Sequence, residues 1–191
     1  GHRADDAVSF HGPRVVGALL CSRRVVPAPL LLGGAQERGH RAGTVNVAGA
    51  AGMACALREA CEGLGDSASR VEALRARLVS RLTEAGDVRV LGPQEPSLRL
   101  PGIVALALEG VDHESALVLL DEAGVCVSAG SACAAGAVES SHVLAAMGVP
   151  SEVARTYLRV SIDATENDER SIDEAADAIL QVAERLRGSA R

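Results

Sequence analysis

One phenylalanine, one tyrosine and no tryptophan stand among the 191 residues of this chain. Any core it forms must therefore be packed from Ala, Val, Leu and Ile. The same shortage removes the aromatic platform on which single-stranded nucleic acids stack. A net charge of −6 leaves no basic footprint for DNA or RNA. The length and the ordinary balance of apolar and charged residues suit a soluble globular protein of one or two domains.

A second constraint is chemical. All 19 basic residues are Arg, and no Lys occurs. Only a Lys amine forms a Schiff base with an aldehyde cofactor, so no side chain here can do so. The five cysteines are Cys21, Cys55, Cys61, Cys126 and Cys133. Their odd number and the lack of a C-x-x-C spacing fit reduced thiols better than a disulfide framework. The first dozen residues carry charge and His but no apolar run, and no stretch approaches the ~18 apolar residues of a membrane span. The expectation is a cytoplasmic chain with no membrane partner, whose abrupt start reads as cut from something longer.

Apolar periodicity divides the chain into strands and helices. Asp6–Phe10 is expected as a short strand and Val15–Cys21 as a buried one. The Gly- and Arg-rich loop Gly33–Thr44 follows, then a helix capped by Asn46 through Ala60 and ended by Gly63–Gly65. Val71, Leu74, Leu78 and Leu82 mark a second helix from Ser67 to Gly86. Strands are expected at Val88–Leu91, Ile103–Leu108, Val125–Val127 and Tyr157–Ile162. Helices are expected at His113–Ala123, at about Ser140–Met147, and after the capping pattern Thr165–Asp168. The interleaving indicates an α/β chain with an α+β small domain, broken near residues 63–70.

Three places could carry chemistry. Cys133 ends the small-residue run Ser128-Ala-Gly-Ser-Ala-Cys133, where a thiol can be delivered to a partner, although cysteines are more often buried. Cys55 and Cys61, on a helix, fit that buried role. A zinc site from Cys126, Cys133 and His142 matches no usual ligand spacing. In the Gly33–Thr44 loop, backbone N–H groups, Arg38, Arg41 and the Thr44 hydroxyl suit an oxyanion near a helix start, though a plain connecting loop explains them equally well. Arg159 interrupts the apolar strand Tyr157-Leu-Arg-Val-Ser161. It is either a carboxylate-gripping fork or a solvent-facing residue of a half-buried strand. His113 and His142 fit capping or solvated positions.

Four stretches in order carry a resemblance: His11-Gly-Pro-Arg-Val-Val-Gly-Ala-Leu-Leu20, Gly33-Gly-Ala-Gln-Glu-Arg-Gly-His-Arg-Ala-Gly-Thr44, Ser128–Cys133 and Leu158-Arg-Val-Ser161. From about Asp6 to Gly188 the chain resembles the C-terminal part of the class-V aminotransferase-like, pyridoxal-phosphate-dependent cysteine desulfurases of fold type I. The resemblance implies residues 1–65 as a remnant of the large cofactor-binding domain and 66–191 as the small domain. It implies Cys133 as the thiol that takes sulfur from L-cysteine, Arg159 as the grip on the substrate carboxylate, and Thr44 as a ligand of the cofactor phosphate in the other subunit of a homodimer. It further implies pairing with a related chain or a sulfur-acceptor protein, and a place in iron–sulfur cluster assembly. One departure stands out. The family's Ser-x-His-Lys segment before Gly-Pro is represented here by Val8-Ser-Phe-His-Gly-Pro13, without the Lys that holds the cofactor. The family's N-terminal half is also missing. The chain alone is therefore expected to be inactive, with a non-catalytic interaction module as the alternative.

Overall fold

Val71, Leu74, Leu78 and Leu82 recur three or four positions apart on one face of α2 (Leu64–Glu84) and are buried, with Arg75 beside Leu74 on the same stripe. The computed structural model describes residues 2–129 and 141–189, in two compact units, Gly1–Gly65 and Asp66–Arg191. The second unit holds an antiparallel sheet in the order β3 (Val88–Leu91), β4 (Ile103–Leu108), β5 (Tyr157–Ser161). Side chains alternate across each strand. Val88, Val104, Leu106, Leu108, Leu158 and Val160 therefore share one face and are buried with the apolar stripes of α2, α3 (His113–Glu122) and α6 (Glu169–Ser189). Each fully buried Leu or Val contributes about 1.5–3 kcal/mol. This all-aliphatic core is what the aromatic-poor sequence requires.

Polar contacts fix how the helices meet. Arg77 of α2 holds both carboxylate oxygens of Asp173 at 2.7 and 2.8 Å and reaches Glu169 at 3.1 Å, and Arg81 pairs with Asp173 and Asp177. Most of these groups are exposed and screened by solvent, so the pairs serve mainly to set register. Asp112 caps α3 by accepting the Ser115 N–H at 2.9 Å, and Asp168 caps α6 through the Ser171 N–H at 2.8 Å. Two short helices, α4 (His142–Ala146) and α5 (Ser151–Ala154), precede β5.

The first unit pairs β1 (His2–Asp6) antiparallel with β2 (Gly17–Cys21) and adds α1 (Val47–Glu62), capped by Asn46 Oδ1 on the Gly49 N–H at 2.9 Å. Here two expectations are corrected. Asp6–Phe10 is not a strand: Asp6 ends β1, and its carboxylate accepts the Val8 N–H, closing a 3-10 turn over Ala7–Phe10. The apolar Val15–Cys21 run is a strand only from Gly17 and is exposed, with Leu19 and Leu20 at 56% and 59%. In the second unit, α2 begins at Leu64 rather than Ser67, and Val125–Val127 forms no strand, only a bridge at Ser128. Among the described residues no helix is long and apolar enough to cross a membrane.

Candidate functional site

Strand alternation decides what β5 shows to each side. Leu158 and Val160 enter the core, so Tyr157, Arg159 and Ser161 share the opposite face. On that face the register sets Ala105 opposite Arg159 and Ala107 opposite Tyr157. Two methyl side chains beneath two long ones leave the Arg and Tyr to define the surface there. Arg159 is partly buried, and its Nε is fully enclosed without a hydrogen-bond partner among the described residues. An enclosed, unpaired donor costs about 1–3 kcal/mol, and a carboxylate is the group best shaped to satisfy it. Burial pushes the Tyr157 hydroxyl above its ordinary pKa, with the Arg159 charge opposing.

The backbone of Arg159 does a second thing. Its N–H donates to the Ser128 carbonyl at 2.6 Å, and the Ser128 N–H donates back to its carbonyl at 3.0 Å. That reciprocal pair ties the start of the Ser128–Cys133 segment to the Arg159 strand. Cys133 itself lies outside the described residues. Sequence reasoning singled out Arg159 but missed that its backbone would pair with Ser128. It also missed Tyr157 as a companion on the Arg159 face, although the two-residue spacing carried that signal.

The Gly33–Thr44 loop has an unusual backbone. Glu37 and Arg38 are consecutive non-glycine residues in the left-handed region, at φ 51° and 58°. Each costs roughly 1–2 kcal/mol, so surrounding contacts must impose the shape. The ring of His40 lies 3.1 Å from the Pro27 carbonyl, the Ala42 N–H donates to Leu31, and Arg41 donates to the Thr44 carbonyl at 3.3 Å. Thr44 is exposed, two residues ahead of the α1 cap, with Arg38 and Arg41 also exposed. The loop can present a hydroxyl and two cations to a phosphate. Thr44 belongs to the first unit and Arg159 to the second.

Cys55 and Cys61 are corrected: both are exposed, because among the described residues of α1 only Gly49 and Met53 are buried. Cys55 Sγ lies 3.7 Å from Glu59 Oε1. Cys126 and His142 are exposed too. Arg75 was not foreseen: its guanidinium stem is buried on the apolar stripe of α2 at 6% exposure, four residues after Val71 and three before Leu78.

With that geometry in hand, the relatives are informative. The family model described as aminotransferase class-V matches residues 9–174. An IscS-like cysteine desulfurase of Mycobacterium tuberculosis is 44% identical over 91% of this chain, and a cysteine desulfurase of Cereibacter sphaeroides is 45% identical over 82%. A solved structure titled NifS-like protein superposes with a TM-score of 0.82 at 32% identity over 96% of the chain. The chain spans 43%, 39% and 46% of these three proteins, less than half of each. The class-V aminotransferase and cysteine desulfurase families depend on pyridoxal phosphate. Thr44 and its neighbouring arginines fit that cofactor's phosphate, but no residue of this chain can attach its aldehyde. A mixed α/β fold shared over nearly the whole chain and a family match over most of it lead to one conclusion: the chain belongs to the class-V aminotransferase family, and the relatives it matches are cysteine desulfurases.

Proposed function

We propose that this chain is the thiol-bearing part of a cysteine desulfurase-type protein. The family reaction turns L-cysteine into L-alanine while its sulfur passes to an enzyme thiol as a persulfide. In this reading Cys133 accepts the sulfur, Arg159 grips the substrate carboxylate and Thr44 meets the cofactor phosphate, across the interface of a homodimer. Residues 1–65 belong to the large cofactor-binding domain and 66–191 form the small domain. The observation that carries the reading is the enclosed, unpaired Nε of Arg159 on a strand whose backbone holds Ser128, five residues before Cys133. With no Lys, these 191 residues alone do not turn over cysteine. The natural setting is cytoplasmic, with a sulfur-acceptor protein downstream, in iron–sulfur cluster assembly.

The test is direct observation of the Arg159 Nε–H by NMR during titration with amino acids. L-Cysteine and L-alanine should both shift it, with millimolar affinity, while cysteamine, which lacks the carboxylate, should not. Arg159→Met should remove the response. An Nε–H indifferent to all three ligands would sink the carboxylate role.

The missing Lys also favours a second reading, a non-catalytic module that pairs with a related chain. Size-exclusion chromatography with a full-length desulfurase separates the two. Stable pairing without any persulfide on Cys133 supports the module.

A further inference from the structure

A carboxylate held away from water needs more than one guanidinium. Its two oxygens carry about four acceptor sites, and a bidentate Arg fills two of them. A carboxylate that satisfies the enclosed Arg159 Nε therefore calls for a further donor close by. The face of β5 turned away from the core shows where one stands.

The neighbouring strand supplies none. Opposite Arg159 and Tyr157 lie Ala105 and Ala107, whose methyl groups neither donate nor rise between the two longer side chains. Ser128 pairs with Arg159 on the other side of β5, but its hydroxyl sits one bond beyond Cβ and falls short of the guanidinium. Tyr157 is different. It lies two residues from Arg159 on the same face, about 6.7 Å along the strand. The two side chains are of nearly equal length, so their polar ends can meet one group above the sheet. Two hydrogen bonds of about 2.8 Å, one to each oxygen of a carboxylate, are long enough to close the gap. The Arg159 charge is felt at the Tyr157 hydroxyl, and burial keeps that hydroxyl protonated, hence a donor. Among the described residues the hydroxyl has no hydrogen-bond partner.

We infer that Tyr157 is the second donor of the carboxylate site, its hydroxyl donating to one oxygen of the amino-acid carboxylate while Arg159 grips the group through its guanidinium. The inference rests on the carboxylate role proposed above for Arg159. It adds a rule of selection. A carboxamide of the same size offers one oxygen, and its NH2 group faces a donor where the carboxylate has an acceptor. Two donors side by side therefore favour the acid over its amide.

The chain holds one Tyr and no Trp, so emission excited at the phenol band comes from Tyr157 alone. A phenol that donates to a carboxylate loses emission. Titration of the full chain with L-alanine should quench it with the same midpoint as the Arg159 Nε–H shift, and L-alaninamide should not. Arg159→Met should abolish the quenching. Tyr157→Phe keeps the ring and should weaken L-alanine about tenfold at the Arg159 Nε–H. The emission titration needs no variant, so a misfolded one does not spoil the test. An Nε–H that shifts while emission stays constant would overturn the inference and leave the role of Arg159 standing. So would a folded Tyr157→Phe chain with undiminished affinity, or quenching that survives in Arg159→Met. Silence of both probes would sink the carboxylate role and this inference with it.

Discussion

Replacing Arg75 with methionine should stabilise the second unit, against the usual direction of a core substitution. Arg75 is 6% exposed, and its Nε has no hydrogen-bond partner among the described residues. Its natural counter-ion is already committed: Arg99 holds both oxygens of Glu72 at 2.6 and 2.7 Å. Burial lowers the Arg75 pKa first, the like charge of Arg99 adds to this, and Glu72 opposes it. Methionine keeps an unbranched apolar stem in the same slot and removes the enclosed N–H. Relief of the unpaired donor is worth about 1–3 kcal/mol. Loss of the residual attraction to Glu72 takes back under about 1 kcal/mol. The net gain is about 1–2 kcal/mol, which for a 126-residue unit raises the melting temperature by about 4–8 °C. Calorimetry and urea titration followed by circular dichroism measure it. Glu72→Gln should have the opposite sign, because it leaves two guanidinium groups side by side without their shared anion. A fall in stability in Arg75→Met would refute this reasoning, since it would mean that Arg75 is paired.

Other consequences are open to measurement. Asp112→Ala should cost about 1 kcal/mol as a lost helix cap. The Ser115 N–H holds the Asp112 carboxyl below its ordinary range, so its contribution is present above the unfolded value near pH 3.9 and is lost as pH falls through the lower folded value. Acid titration of the two proteins should therefore show the stability difference closing below about pH 4, and a constant difference would contradict the cap. Gly102→Ala should cost about 1–3 kcal/mol, because its Cβ would sit 2.6 Å from the Ile162 carbonyl oxygen, across from the bond that the Ile162 N–H makes to Gly102. Chemical denaturation checks it, and a neutral result would show that this end of β4 can shift.

Much of the second unit was legible because local signals and long-range packing agree there. The Val71–Leu82 stripe, the alternation of β5 and the acidic cap ahead of α6 each state both an element and the face it buries. Arg75 escaped because an arginine in a helix is read as solvent-facing, while its spacing from Val71 and Leu78 placed it on the stripe. The Ser128–Arg159 pairing joins residues far apart in sequence, and no local pattern encodes it. In the first unit, the run Val15–Cys21 is apolar yet exposed, so an apolar run by itself does not tell a buried strand from an exposed one. Asp6 shows how one carboxylate that caps a turn overrides the strand tendency of the residues after it.

The central claim concerns Cys133 and the lysine that is not there. The direct measurement incubates the chain with pyridoxal phosphate and L-cysteine, following alanine, sulfide and the mass of the Cys133 peptide. No catalytic alanine or sulfide and an unmodified Cys133 are expected from the chain alone. Many turnovers per chain, with a persulfide on Cys133, would contradict it.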